Sequence, residues 1–229
     1  MMRRFQAGVS LISLMVGLAI SMFAVMGALA LYRSASLNMF GNGGLVRNAA
    51  QDGQLASGLL SAQIALQGAG YGISNAASGT DLLLLGNGSI SNGRLSGTPT
   101  TILNSATSGN LLVWGEQING VYRCQALLID SNDKSLRLYK SSGSCSPLAS
   151  NWNGAMGWSS STLIAPHVLS QAPRLSLRGN AGCWPYGAVP NTISSLAAPS
   201  APLELQLGYD TSTAGASNTY TLCLSNFRS

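Results

Sequence analysis

The side chains of this 229-residue chain that could do chemistry are those of one histidine, seven acidic residues, four cysteines and four tryptophans. No Gly-x-Ser-x-Gly elbow accompanies His167, so a Ser-His-Asp triad lacks its usual local signature, and we interpret His167 as a strand-face residue. Asp130 and Asp133 flank a turn, where Asp is expected to bond the backbone. Paired carboxylates of a glycosidase would depend on the fold. The sequence therefore predicts no enzyme, no catalytic residue and no cofactor.

The four cysteines are separated by gaps of 20, 37 and 39 residues, as Cys124, Cys145, Cys183 and Cys223. Zinc sites use cysteines two to four residues apart, so we expect no metal. An even number of cysteines beyond a membrane helix favours two disulfides. We favour Cys124 with Cys145, which closes a strand-turn-strand unit, and Cys183 with Cys223, which ties a loop to the last strand. Free buried thiols are the alternative.

Three of the tryptophans, Trp152, Trp158 and Trp184, fall in or beside polar loops. Large aromatic side chains on loops are common in carbohydrate and protein recognition, because they offer rigid area at a low entropy cost. Loop tryptophans also fill small cores. We favour packing in a core or a subunit interface, with adhesion to a receptor as the alternative.

The charge of the chain is low and thinly spread. Twelve Lys and Arg against seven acids give a net charge of +5, and only 8% of the residues are charged. This composition excludes a disordered polyelectrolyte and a coiled coil. No stretch has the cluster of cations that a phosphate-binding groove needs, so nucleic acid is not an expected partner.

The strongest pattern lies at the N-terminus, where residues 9–31 contain no charge. A helix of that length, at 1.5 Å per residue, can cross a hydrocarbon core of about 30 Å. Arg3 and Arg4 precede it and favour a cytoplasmic N-terminus with the rest of the chain outside. A signal peptide has a shorter apolar region followed by a cleavage site, so we predict an uncleaved membrane helix.

A short basic leader ends at Gly8, and Val-Ser-Leu-Ile-Ser-Leu-Met-Val follows from Val9. This order resembles the class III signal of type IV pilins and type II secretion pseudopilins. The resemblance implies that a prepilin peptidase cuts after Gly8 and methylates the amine of Val9. Ser13 departs from the family, which nearly always has Glu at this position.

Helical spacing of apolar residues continues beyond the membrane segment, through Leu55, Leu59, Ala62 and Leu66. Three glycines within residues 40–44 predict a hinge or melted turn between two parts of this long helix. The helix is expected to end at Ala-Gly-Tyr-Gly, residues 69–72. This motif resembles the turn that closes the same helix in minor pilins of the PilW family.

From residue 74 the pattern changes to short β-rich runs. They predict eight strands, over residues 82–85, 111–118, 121–130, 135–139, 163–169, 174–177, 203–207 and 219–224. Asn119-Gly120 is a two-residue hairpin signal, and the turn 131–134 completes a three-stranded meander. Residues 141–161 and 186–202 are predicted loops.

These patterns predict an α+β, pilin-like fold, in which a long N-terminal helix packs on an antiparallel sheet with disulfide-tied loops. The predicted segments are a leader (1–8), a transmembrane and fibre-core helix (9–31), an outer half-helix with a glycine hinge (32–73) and a β-rich head (74–229).

The resemblance implies a minor pilin that primes assembly of a type IV pilus and sits at or near its tip. The alternatives are a J-type minor pseudopilin of a type II secretion system and a pilus-anchored adhesin. Implied partners are other minor pilins, the major pilin, the prepilin peptidase and the inner-membrane assembly machinery. The expected location is a single-pass anchor in the inner membrane of a Gram-negative bacterium with a periplasmic head, and later the extracellular pilus.

Overall fold

The computed structural model describes residues 10–41, 44–146, 148–183, 201–210 and 217–228, without the side chains of 180–182. The chain divides into two compact units, with the boundary between Ala50 and Gln51. Each unit is therefore described by itself.

The first unit contains helix α1, Leu11–Phe40, and the start of helix α2, Leu45–Gln67. Helix α1 has apolar residues on all sides and no buried residue. A helix with this distribution needs an apolar environment around it. It is long and apolar enough to span a membrane.

The two helices are separated at glycines. An added Cβ would lie 2.3 Å from the Leu37 carbonyl oxygen at Gly41, and 2.5 Å from the Met39 carbonyl oxygen at Gly44. The backbone N–H of Gly41 donates to the Leu37 oxygen at 2.9 Å. The close approach of backbone to backbone explains why the break requires glycine, as predicted.

In the second unit, α2 buries the predicted stripe of Leu55, Leu59, Ala62 and Leu66. Gly58 lies on the same face, and an added Cβ there would be 2.6 Å from the Leu163 carbonyl oxygen. The helix thus packs closely on the sheet because small residues alternate with leucines.

Ten strands and one short helix follow α2 in the described parts of the chain. They are β1 (Leu82–Ser91), β2 (Arg94–Thr100), β3 (Thr107–Gly109), β4 (Leu111–Ile118), β5 (Val121–Asp130), β6 (Ser135–Ser141), α3 (Leu148–Asn151), β7 (Trp158–Ile164), β8 (Arg174–Cys183), β9 (Ala201–Asp210) and β10 (Ser217–Leu224).

These strands form two antiparallel sheets. The larger has the order β2-β1-β4-β5-β6-β7, and the smaller has the order β10-β9-β8-β3. The fold is therefore α+β, with a long N-terminal helix and antiparallel sheets.

The larger sheet is buried on both faces. Leu112 and Trp114 of β4 belong to a core shared with α2 and the smaller sheet. Leu111 and Val113 point to the opposite face and join a second core with Leu148 of α3. Alternate residues of one strand thus enter two different cores, which explains why β4 is apolar at consecutive positions.

The meander of β4, β5 and β6 is confirmed, and its first turn has the predicted positive φ angles, 52° at Asn119 and 76° at Gly120. The predicted strand 163–169 is wrong, because β7 covers Trp158–Ile164 and a turn follows. The predicted loop 141–161 contains α3 and most of β7. Of the predicted loop 186–202, residues 201–202 belong to β9, and 186–200 lie outside the described residues.

Candidate functional site

The candidate cleavage residues Gly8 and Val9 lie outside the described residues. Ser13 lies in the first turn of α1 and is exposed, as are its neighbours. The first turn contains no acidic residue. The first turn of α1 is therefore an exposed apolar surface that carries one hydroxyl group, that of Ser13.

The Ala-Gly-Tyr-Gly turn, residues 69–72, follows α2 and is called here the glycine turn. Gly70 donates its backbone N–H to the Gly115 carbonyl oxygen at 2.8 Å, and Gln117 donates to the Tyr71 oxygen at 2.7 Å. The first residue of β1, Leu82, pairs with Trp114. Residues 115–118 of β4 therefore extend past β1, and the glycine turn takes up two of their hydrogen bonds.

Both glycines of this turn have left-handed backbone angles, with φ of 75° at Gly70 and 73° at Gly72. An added Cβ at Gly72 would lie 2.1 Å from the Gln117 carbonyl oxygen. Glycine suits position 72 for two reasons: the backbone there is left-handed, and a side chain would clash with the Gln117 carbonyl oxygen.

The C-terminal segment contacts both the end of α2 and the glycine turn. Asn226 donates from Nδ2 to the carbonyl oxygens of Gln67 at 3.0 Å and Ala69 at 2.9 Å. The ring of Phe227 is buried and lies against Gly70. Because the last carbonyls of a helix have no partner within it, Asn226 stabilises the end of α2. The sequence analysis missed this cap, since no local pattern links residues so far apart.

A buried carboxylate lies beside the glycine turn. Asp81 is 9% exposed, and its Oδ2 accepts the backbone N–H of Ala77 at 3.1 Å. Its Oδ1 accepts the hydroxyl of Tyr122 at 2.9 Å. Burial raises the pKa of the Tyr122 hydroxyl, and the hydrogen bond and negative charge of Asp81 raise it further. Tyr122 is thus held as a neutral donor to a buried anion.

The structure joins Cys124 to Cys145 and Cys183 to Cys223, with Cα–Cα distances of 6.0 and 5.8 Å. These are the pairings that the sequence analysis favoured, and no cysteine is free. The first bridge ties the segment after β6 to β5 within the second core. The second joins the end of β8 to β10, which are both strands of the smaller sheet.

His167 lies in an exposed turn and not on a strand face, which corrects the prediction. Its φ is 60°, and its backbone N–H donates to the Asp133 carbonyl oxygen at 2.7 Å. Asp130 and Asp133 do bond the turn backbone, at the N–H of Asn132 and of Ser135 respectively. These residues organise the connection between β5 and β6.

Among the described residues, no cluster of three or more His, Cys, Asp or Glu could hold a metal ion.

The tryptophans serve packing wherever the structure describes them. Trp114 is fully buried in β4, and Trp152 and Trp158 are partly buried against the second core. Trp158 begins β7 and does not lie in a loop. Trp184 is outside the described residues.

No protein-family model, no curated protein and no solved structure gives a significant match to this chain.

Proposed function

We propose that this chain is a minor pilin, which primes the assembly of a type IV pilus and occupies a position at or near its tip. The observation that carries the proposal is the apolar helix α1, which has no buried residue and directly follows the class III signal at Gly8 and Val9. Such a helix needs lipid or other helices around it. A pilin uses both environments in turn, the membrane before assembly and the fibre core afterwards.

The second unit supports the same proposal. The apolar face of α2 packs on antiparallel strands, and the glycine turn stops the helix against β4. The two disulfides suit an oxidising compartment, such as the periplasm. The basic leader holds the N-terminus on the cytoplasmic side. In this proposal the other minor pilins, the major pilin and the inner-membrane assembly machinery are the partners.

Ser13 is the reason for proposing a terminal position. A glutamate buried in an apolar core needs a partner charge, which in the family is the methylated amine of a neighbouring subunit. A serine hydroxyl is neutral and can bond a carbonyl of its own helix. Such a subunit can offer its amine to a neighbour's glutamate without needing an amine itself. This one-sided contact suits an end of the fibre better than repeated positions along it.

Processing of the N-terminus tests the proposal. Full-length chains are expressed with and without a class III peptidase, and the mature N-terminus is measured by mass spectrometry. We expect loss of residues 1–8 and a methylated Val9. Gly8→Val is expected to block cleavage and leave membrane insertion intact. Gly17→Val is the matched control, because Gly17 lies in the same apolar helix with open space around its Cα. A membrane-bound chain that keeps Met1 with the peptidase present, or that begins after residue 31, would overturn the proposal.

A second experiment separates the pilus from type II secretion. The full-length protein is purified from its native membrane after mild crosslinking, and the attached subunits are identified by mass spectrometry. Type IV pilins are expected. Attachment to pseudopilins alone would assign the chain to a secretion system.

A further inference from the structure

A polar cleft of about 520 Å³ lies beside the larger sheet of the second unit. One wall is a bulged part of β1 at residues 86–90, another is formed by residues 108–110 at the end of β3, and a third is the turn after β5 at residues 130–132. Leu128 and Tyr139 also line the cleft, and both are less than 10% exposed. The lining is therefore mainly polar, with a small apolar area.

The bulged wall is built by specific contacts. The pairing of β1 with β2 shifts register between Gly86 and Ser89. The side chain of Asn110 holds the bulge, because its Oδ1 accepts the N–H of Gly88 at 2.6 Å and its Nδ2 donates to the Gly88 oxygen at 2.8 Å. A Cβ at Gly88 would lie 2.3 Å from that of Leu111. Bulges re-aim side chains, and this one presents Asn87 at the rim with a φ of 52°.

The rim offers unused hydrogen-bonding groups. Asn87, Ser131 and Asn132 are exposed and line the cleft. Their side chains make no hydrogen bond to another described residue. An amide carries donors and an acceptor side by side, so two amides and a hydroxyl can each bond one or two hydroxyl groups of a ligand.

The charges at the cleft are already engaged. The guanidinium of Arg137 pairs with the carboxylate of Asp133 and donates to the Ser135 hydroxyl. Asp130 accepts the backbone N–H of Asn132 at 2.9 Å. An anionic ligand would meet the Asp130 carboxylate and a guanidinium that is already neutralised. The groups left free at the rim are the neutral amides and hydroxyl of Asn87, Ser131 and Asn132, and these suit an uncharged ligand.

We propose that this cleft binds a neutral oligosaccharide. A sugar ring has hydroxyl groups at its edge, which suit the amides of Asn87 and Asn132, and a less polar face, which suits the small apolar area that Leu128 and Tyr139 contribute. The volume of the cleft lies within the usual range of small-ligand sites. The inference uses residues of the second unit alone and does not depend on the proposed role in a pilus.

Binding is measured on the full-length protein in a zwitterionic detergent, since the head group of a maltoside would compete. The probes are maltotriose, chitotriose and lactose, with sialyllactose as the charged comparison, and the readouts are saturation-transfer NMR and calorimetry. We expect at least one neutral sugar to bind and sialyllactose to bind more weakly. Failure of all three neutral sugars at about 10 mM, or tighter binding of sialyllactose, would overturn the proposal.

Substitutions locate the site. Asn87→Gly combined with Asn132→Ala is expected to weaken binding about tenfold, because several hydrogen bonds are lost. Asn92→Gly is the matched control, since Asn92 is also an exposed asparagine with positive φ, 50°, but does not line the cleft. Ser131→Trp is a second variant, which fills the cleft from an exposed turn. Wild-type affinity in both cleft variants, or an equal loss in Asn92→Gly, would contradict the assignment.

Discussion

The hydroxyl of Tyr122 donates a 2.9 Å hydrogen bond to Oδ1 of Asp81, across 41 residues of sequence. Asp81 immediately precedes β1, whereas Tyr122 is the second residue of β5. Gly115 of the intervening strand makes room for the contact, because an added Cβ there would lie 2.1 Å from the Tyr122 hydroxyl. The bond therefore fixes the segment that leads from the glycine turn into the larger sheet.

Tyr122→Phe is expected to lower the free energy of unfolding by about 1–3 kcal/mol, since Oδ1 of the buried Asp81 loses its donor. Chemical denaturation at pH 7 measures the change. Tyr71→Phe is the control, because Tyr71 is 60% exposed and should change the stability little. Equal effects of the two substitutions would show that the Asp81 contact contributes nothing.

The same contact predicts a dependence on alkaline pH. Burial first, and then the bond and charge of Asp81, hold the pKa of folded Tyr122 above its ordinary value of about 10. The unfolded chain therefore loses this proton at a lower pH than the folded chain. The contribution to stability is fully present below pH about 10 and is lost as the pH rises towards the folded pKa. Unfolding measured from pH 8 to 11 should show a steeper loss for the wild type than for Tyr122→Phe, and parallel curves would refute this.

Gly72→Ala is expected to destabilise the protein more than Gly79→Ala. Both glycines have positive φ, 73° and 82°, so each substitution costs about 1–2 kcal/mol in backbone conformation. Only at Gly72 does the new Cβ meet an atom, the Gln117 oxygen, whereas Gly79 has open space. We expect about 1–3 kcal/mol more at Gly72, measured by thermal unfolding. Equal losses would mean that the glycine turn can move away from β4 at little cost.

The double substitution of Cys124→Ala and Cys145→Ala is expected to lower the free energy of unfolding by about 3 kcal/mol, because the disulfide closes a loop of 21 residues. Protein from an oxidising compartment should show no thiol that reacts with a labelling reagent in denaturant. Two or more labelled thiols per chain before reduction would contradict the disulfide framework. The double variant at Cys183 and Cys223 provides the comparison for a loop of 40 residues.

Ser13→Glu is expected to spread this subunit along the pilus, if the proposed terminal role is correct. In the proposed role, the added carboxylate would supply the charged contact with a neighbouring amine that a subunit along the shaft needs. Immunogold labelling of sheared pili should show sparse terminal label for the wild type and for the control Ser13→Ala. Even, abundant label along wild-type pili would argue against the terminal role.

Local patterns predicted the elements whose signals are contained in short stretches of sequence. The apolar residues of α1, the four-residue steps from Leu55 to Leu66 and the Asn119-Gly120 turn each define their structure locally. Asn92-Gly93 carries the same hairpin signal, with φ angles of 50° and 70°, and could have identified the turn between β1 and β2. The strand after it was missed because Gly97 and Pro99 interrupt its pattern.

The tertiary structure alone decided which distant residues meet. Residues 158–161 of β7 fall in the predicted loop 141–161, because three of them are serines, yet they pair with β6 in the sheet. Asn226 caps α2, and Asn110 holds the bulge at Gly88, through bonds that no sequence spacing specifies. The sequence by itself determined where apolar surface had to be buried and where the backbone needed glycine. Only the packed sheets determined which polar atoms would satisfy one another, because those bonds form between segments brought together by burial.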